Sequence, residues 1–282
     1  MPELLSRLTP PSTAGIVFGV GATSARLEAD RKTQLNLRRI ATLVLACPVD
    51  TFVADLPALI EKLTELLTAT ATSSPSSTTR SDIYLLLRAL ILRISAVHLA
   101  PLWPVLNAEL HAALAAVVAP DHSVAADTYG CAALLGAAKL LDLLVCVAPE
   151  GWQVHEWLFV TDTIDAVYRA EGNVRLVAMV DEVCEELGAV SIPFRDGEVQ
   201  TQTVGGVPGA RRPLLGTPGG ISDEVGLERK DELVAKVLRP FFGQLSIYAF
   251  ESTYAMGQVD VEACVEGLMK DVFDERTIVR AL

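Results

Sequence analysis

Residues 83–110 read IYLLLRALILRISAVHLAPLWPVLNAEL. The run is almost wholly apolar, yet Arg88 and Arg93 stand inside it, and Pro101 and Pro104 bracket Trp103. An apolar run of this length predicts a buried helix. The residue before a proline resists helical geometry, and proline fits the first turn of a new helix. The stretch therefore reads as a buried helix, a tight corner locked by the ring of Trp103, and a second helix opening at Pro104. His98 falls in that corner, where a histidine serves to hydrogen-bond a turn. Buried arginine is costly unless paired, so Arg88 and Arg93 are expected to snorkel or to meet acids such as Asp142 on a neighbouring helix.

Outward from this stretch the helical pattern continues. Residues 34–47 place Leu37, Ile40, Ala41, Val44 and Leu45 on one face and stop before Pro48. Residues 52–67 repeat the pattern with Leu56, Leu59, Ile60, Leu63 and Leu67. Further helices are expected over 104–118, 124–147, 174–187, 224–238 and 242–256, with Asp260 capping a last one. About nine helices and no alternating strand pattern predict an all-α fold. Antiparallel helix pairs would stack as a HEAT- or armadillo-like α-solenoid or pack as an irregular helical bundle.

Three segments lack the pattern. Residues 1–30 are expected to be a flexible N-terminal segment ahead of a single helical domain over 31–282. The Ser/Thr-rich stretch near 68–81 reads as a disordered loop. So does the Gly/Pro-rich stretch 192–222, which is long for a compact domain.

Composition bounds the function. Hydrophobic residues make up 51% and charged residues 21%, so the chain is a folded globular protein rather than a disordered one. The mean hydropathy of +0.38 is high and implies a large core or surface covered by a partner. A net charge of −12 lacks the basic footprint of a nucleic-acid binder, so no nucleic acid is expected as partner. Residues 140–191 hold ten acids against Arg169 and Arg175, read as solvated helix faces. Charges interrupt the two longest apolar segments short of the roughly 18–20 residues that a membrane span needs. No secretory signal is evident, and the five scattered cysteines read as free thiols in a reducing compartment.

No catalytic constellation emerges. Gly19 and Gly21 lack the third glycine of a dinucleotide turn, Ser24 standing there instead. His98, His111, His122 and His155 form no metal-ligand spacing, and no cofactor is implied. The carboxylates of Asp181, Glu182, Glu185 and Glu186 lie one turn apart; they read as an exposed face, with a metal-holding enzyme as a third-ranked reading. Arg211 and Arg212, with Arg229, Lys230, Lys236 and Arg239 nearby in sequence, are the candidate anionic-lipid contacts. Residues 195–239 balance seven basic residues with seven acids, so the same charges also serve loop solubility.

Three strings carry a resemblance. LLRALILRISAVHLAPLWPVLNAEL resembles the C-terminal region of the Dopey family, and LLDLLVCVAPEGWQVHEWLFVTD and LRPFFGQLSIYAFESTY are similar to it. The resemblance implies a non-enzymatic scaffold of Golgi and endosomal trafficking. It implies a MON-type scaffold related to Arf exchange factors and a type-four P-type ATPase flippase complex as partners. It also implies a link to phosphatidylinositol 4-phosphate, and a cytoplasmic protein peripheral on Golgi, trans-Golgi network and endosome membranes. The alternative reading is a self-associating helical structural module, a homodimer in its simplest form, with no lipid binding.

Overall fold

Helix α4, Ser77–Arg93, is the element around which the chain is built, and every residue from 82 to 91 is buried. A surface helix buries one stripe, whereas a helix that is apolar all round must be enclosed. The computed structural model describes residues 1–8, 21–72, 77–120, 123, 128–160, 177–188, 210–254 and 257–281, and in it α4 lies between α2 (Gly21–Ala46) and α7 (Cys131–Val147). Helix α3 (Leu56–Thr72) also packs on α4, and α1 (Pro2–Ser6) on α3.

The remaining helices complete the enclosure. After the short α5 (Ala96–Leu99) and a 3-10 turn, α6 (Trp103–Val118) packs on α7. Helix α8 (Met179–Glu186) packs on α6. Then follow α9 (Lys230–Leu233), a π-turn over Val234–Leu238, and α10 (Arg239–Tyr254), which packs on α8 and α7. Two final helices, α11 (Val261–Val272) and α12 (Glu275–Ala281), return to the start of the chain: α11 packs on α4 and α2, and α12 on α2. In a solenoid each repeat touches only its neighbours; this closure is the packing of an irregular helical bundle. The all-α expectation holds. Among the described residues the extended structure consists of two isolated bridges, Arg211 with Val259 and Leu215 with Ile221.

Several expected boundaries move. Helix occupies much of the stretch near 68–81, with α3 running to Thr72 and α4 starting at Ser77. The Ser/Thr hydroxyls have local acceptors: Thr64 and Thr68 donate to the carbonyls one turn back, at 2.8 and 2.9 Å. Ser77 Oγ accepts the Ala133 amide at the start of α7, 3.0 Å away. Within the expected flexible segment 1–30, α1 and the first turns of α2 are helical, while 9–20 lie outside the described residues. Of 192–222, residues 192–209 lie outside the described residues, whereas 210–222 form an ordered strap across α7. Pro240 does not break its helix; the π-turn just before it lets α9 run into α10 without the proline's missing N–H. Asp260 caps α11 as expected, its Oδ1 accepting the Ala263 amide at 3.0 Å.

Candidate functional site

The charges embedded in the core meet one another in two clusters. In the first, Arg88 on α4 donates to Asp271 on α11 at 2.5 Å, and Lys139 on α7 donates to the other oxygen of Asp271 at 2.6 Å and pairs with Asp223 just after the strap. Arg38 on α2 joins them, pairing with Asp82 of α4 at 2.8 Å and donating to the carbonyls of Asp271 and Val272 at the end of α11. Burial alone would raise the Asp271 carboxyl, but Arg88 and Lys139 outweigh it and hold the group below the usual carboxylate range. For Asp82 burial wins over Arg38, and its carboxyl is pushed up to about 6. Arg38, Arg88, Lys139 and Asp271 line a cavity of about 540 Å³, whose wall is completed by neighbouring residues of α4 and α7, by Asp223 to Glu228 just after the strap, and by Asp274, Arg276 and Thr277.

In the second cluster, Arg80 at the start of α4 pairs with Glu109 of α6, and Tyr84 donates to the same carboxylate at 2.6 Å. The Arg80 guanidinium also lies over the Tyr129 ring, 4.6 Å from its centre. Burial, then Glu109, push the Tyr129 hydroxyl up to about 12. The helical stretch Ala96–Val118, 23 residues containing an 18-residue window of mean hydropathy 1.2, is long and apolar enough by composition to cross a membrane, contrary to the sequence reading. Glu109 lies inside that stretch and is engaged by Arg80, which ties this helix to the protein core.

The expected pairing of Arg88 and Arg93 with Asp142 does not form. Arg88 takes Asp271 instead. Asp142 accepts the strap amides of Leu214 and Leu215 at 2.9 and 2.8 Å, because the strap and not α4 presents donors to it. Burial raises its carboxyl to about 7 against the pull of those amides, Arg88 and Lys139. Arg93 is half-buried and makes no ion pair among the described residues; its carbonyl accepts the Asp50 amide at 2.9 Å.

The corner is locked from two sides. Asp50, at φ +64°, accepts the Ser95 amide at 2.7 Å and the Ser95 hydroxyl, and these bonds hold its carboxyl below the usual range. Trp103 is buried beneath Gly151, where a Cβ would lie 3.3 Å from the indole nitrogen and φ is +86°. His98 is exposed, its amide donating to the Ser95 carbonyl at 2.9 Å, and Pro104 opens α6 from an exposed position.

The six lipid candidates do not form a free cationic face. Arg211 donates to the Ser252 carbonyl at 3.3 Å, and Arg212 pairs with Asp260 at 2.7 Å. Arg229 pairs with Asp231, and Lys236 with Glu232 at 2.5 Å. Lys230 donates to the carbonyls of Ala116 and Ala119 at 3.0 and 3.2 Å, closing the C-terminal end of α6. Arg239 is exposed.

The acids 181–186 lie on α8, with Glu182, Glu185 and Glu186 exposed; His122 lies outside the described residues. Among the described residues no group of three or more His, Cys, Asp or Glu side chains is placed to hold a metal. Arg38, Arg80, Glu109, Lys139 and Asp271 were not singled out from the sequence as core pairs. Their ion-pair partners are between 29 and 183 residues away, and no local spacing reports such distances. The buried thiols of Cys146 and Cys264 also meet, 4.0 Å apart; that contact and burial hold the Cys146 thiol far above its ordinary range, so it stays protonated.

Fold and site together define an all-helical packing module whose embedded charges tie its own helices together. Residues 1–255 match the family model described as DOP1 C-terminal, and the chain belongs to that family, the Dopey proteins. It is 48% identical over 276 residues to Protein dop1 of Emericella nidulans, covering 98% of this chain. It is 29% identical over 276 residues to Protein DOP1 of Saccharomyces cerevisiae, covering 96% of this chain. In both cases the match spans 14% of the relative's length. No solved structure matches the chain.

Proposed function

We propose that this chain is the C-terminal module of a Dopey-type scaffold in Golgi and endosomal membrane trafficking, working through protein contacts and carrying no catalytic step of its own. One observation supports the reading most. The three strings that resemble the family do not lie apart; they supply α4, the corner and α6, α7 with the turn after it, and α10, which pack as one body. A module built this way offers a rigid surface, and its core charges serve its own assembly.

On this reading the partners are a MON-type scaffold and an aminophospholipid flippase, on the cytoplasmic face of Golgi, trans-Golgi network and endosome membranes. Phosphatidylinositol 4-phosphate would be met through cations still open to solvent, Arg239 first among the six. Two measurements test it. Full-length protein is expected to co-purify with both partners, and a version lacking this module to lose at least one; undiminished recovery of both sinks the scaffold reading. Vesicles containing phosphatidylinositol 4-phosphate are expected to float more of the protein than vesicles of phosphatidylcholine alone, and Arg239→Glu to reduce the difference. Equal flotation removes the lipid from the reading.

A further inference from the structure

The turn after α7 carries two tryptophans with opposite surroundings. Trp152 is fully buried, its Nε1 donating to Asn107 at 3.1 Å and its ring stacked on Phe159 at 6.2 Å. Trp157, on the 3-10 helix Gln153–Leu158, is 55% exposed, and Val154, one turn earlier, is 67% exposed. The Trp157 Nε1 donates to the Val154 carbonyl at 2.9 Å, so the indole is pinned to its own turn with its donor satisfied. A half-exposed indole leaves a large apolar face in water, and rigid aromatics of this kind anchor protein interfaces.

The surroundings specify the occupant. The Val180 amide donates to the Phe159 carbonyl at 3.0 Å, which brings the start of α8 against the end of the turn. The two stretches joined there, 149–160 and 177–188, contain Glu150, Glu156, Asp181, Glu182, Glu185 and Glu186 and no lysine or arginine. Glu150, Glu182, Glu185 and Glu186 are exposed and form no ion pair among the described residues. An anionic membrane would be repelled by these acids. A second copy docking through the same patch about a two-fold axis would set acid against acid. A chain carrying positive charge and apolar side chains meets neither objection.

We propose that Trp157 and Val154, with the exposed acids of α8 that the Val180–Phe159 bond brings to this turn, form a docking surface for a basic peptide segment of a partner protein. An arginine or lysine of that segment stacks on the exposed indole face, a cation–π contact strengthened as docking excludes water. Its neighbours in the segment pair with Glu182, Glu185 and Glu186. The surface goes beyond the trafficking reading and does not depend on it.

The test is fluorescence anisotropy with a labelled peptide of alternating arginine, lysine and leucine, against the same peptide with glutamate at every basic position. The basic peptide binds, more weakly as salt rises, and the acidic one does not. Trp157→Ala lowers affinity about tenfold or more, Trp157→Phe keeps it within about threefold, and Phe273→Ala, at another exposed aromatic, leaves it unchanged. Gln at 182, 185 and 186 together also weakens binding by about tenfold. Thermal unfolding checks that each variant is folded; the triple Gln variant gives the answer if the Ala variant is not, and unchanged affinity there overturns the proposal. Equal affinity for wild-type protein, Trp157→Ala and Phe273→Ala overturns the proposal. So does a blue shift of Trp157 emission on phosphatidylcholine vesicles with no peptide binding, which would make a membrane the occupant.

Discussion

Arg88 and Asp271, 183 residues apart in the chain, meet at 2.5 Å where α4 packs on α11. The Arg88 side chain is 10% exposed and that of Asp271 is 22%, so the pair lies well inside the surface. Lys139 holds the second oxygen of the same carboxylate. One acid thus joins three helices, and its loss would leave Arg88 without its ion-pair partner and Lys139 with Asp223 alone.

Asp271→Asn is therefore expected to destabilise the protein by about 3–5 kcal/mol, the usual cost of breaking one side of a buried pair. Urea titration followed by circular dichroism measures it. A loss under about 1 kcal/mol would mean that Arg88 and Lys139 find other acceptors.

Acidity has two opposing effects on stability. Asp82 and Asp142 are raised by burial to about 6 and about 7. A raised folded value means the folded state holds the proton more tightly than the unfolded one. Their contribution to stability is present below the ordinary carboxylate value of about 4 and is lost as pH rises through 6 and 7. Asp271 is lowered, so its contribution is present above that ordinary value and lost as pH falls through its own folded value. The melting temperature is expected to peak on the acid side of neutrality and to decline as pH rises through 7. Asp142→Asn lowers it overall, because an amide oxygen accepts less well than a carboxylate, and flattens the decline near 7. An unchanged slope in the variant would assign that decline to other groups.

The strap depends on Gly220. A Cβ there would lie 2.2 Å from the Leu214 carbonyl oxygen, inside the turn closed by the Ile221 amide on that same oxygen. Gly220→Ala is expected to cost roughly 1–3 kcal/mol and to expose the amides of Leu214 and Leu215 to hydrogen exchange. Gly226→Ala, with nothing within 4 Å of its Cβ, is the matched control and should leave both unchanged.

Lys230 and Lys236 separate a structural cation from a surface one. Lys230→Met removes the donor at the end of α6 and should cost about 0.5–1 kcal/mol. Lys236→Ala breaks only an exposed pair with Glu232 and should stay within about 0.5 kcal/mol of wild type. Equal effects from the two substitutions would remove the capping role of Lys230.

Residues 83–110 show how far local pattern reaches. The buried helix and the helix opening near Pro104 follow from hydropathy and from the backbone limits of proline, and the structure contains both; the break itself falls at Ser95, and Pro101 sits in a 3-10 turn that joins α5 to α6. The cap at Asp260 is equally local, one side-chain oxygen on an amide three residues ahead. The Ser/Thr tract near 68–81 misleads because its hydroxyls resemble loop chemistry in composition, yet bond to carbonyls one turn back and to the start of α7 in the fold. The strap misleads for a related reason: its glycines and prolines mark irregular backbone, which is correct, but irregular backbone can still be fastened by a buried carboxylate such as Asp142.

Helical class, the buried corner and the family resemblance are properties of residues close together in sequence, where spacing and backbone geometry act directly, and they could be read from the chain. The partner of each embedded charge, the closure of α11 and α12 onto α2 and α4, and the contrast between buried Trp152 and exposed Trp157 depend on which surfaces meet across gaps of tens to hundreds of residues. Burial and Coulomb attraction act through space, and spacing along the chain carries no record of those distances.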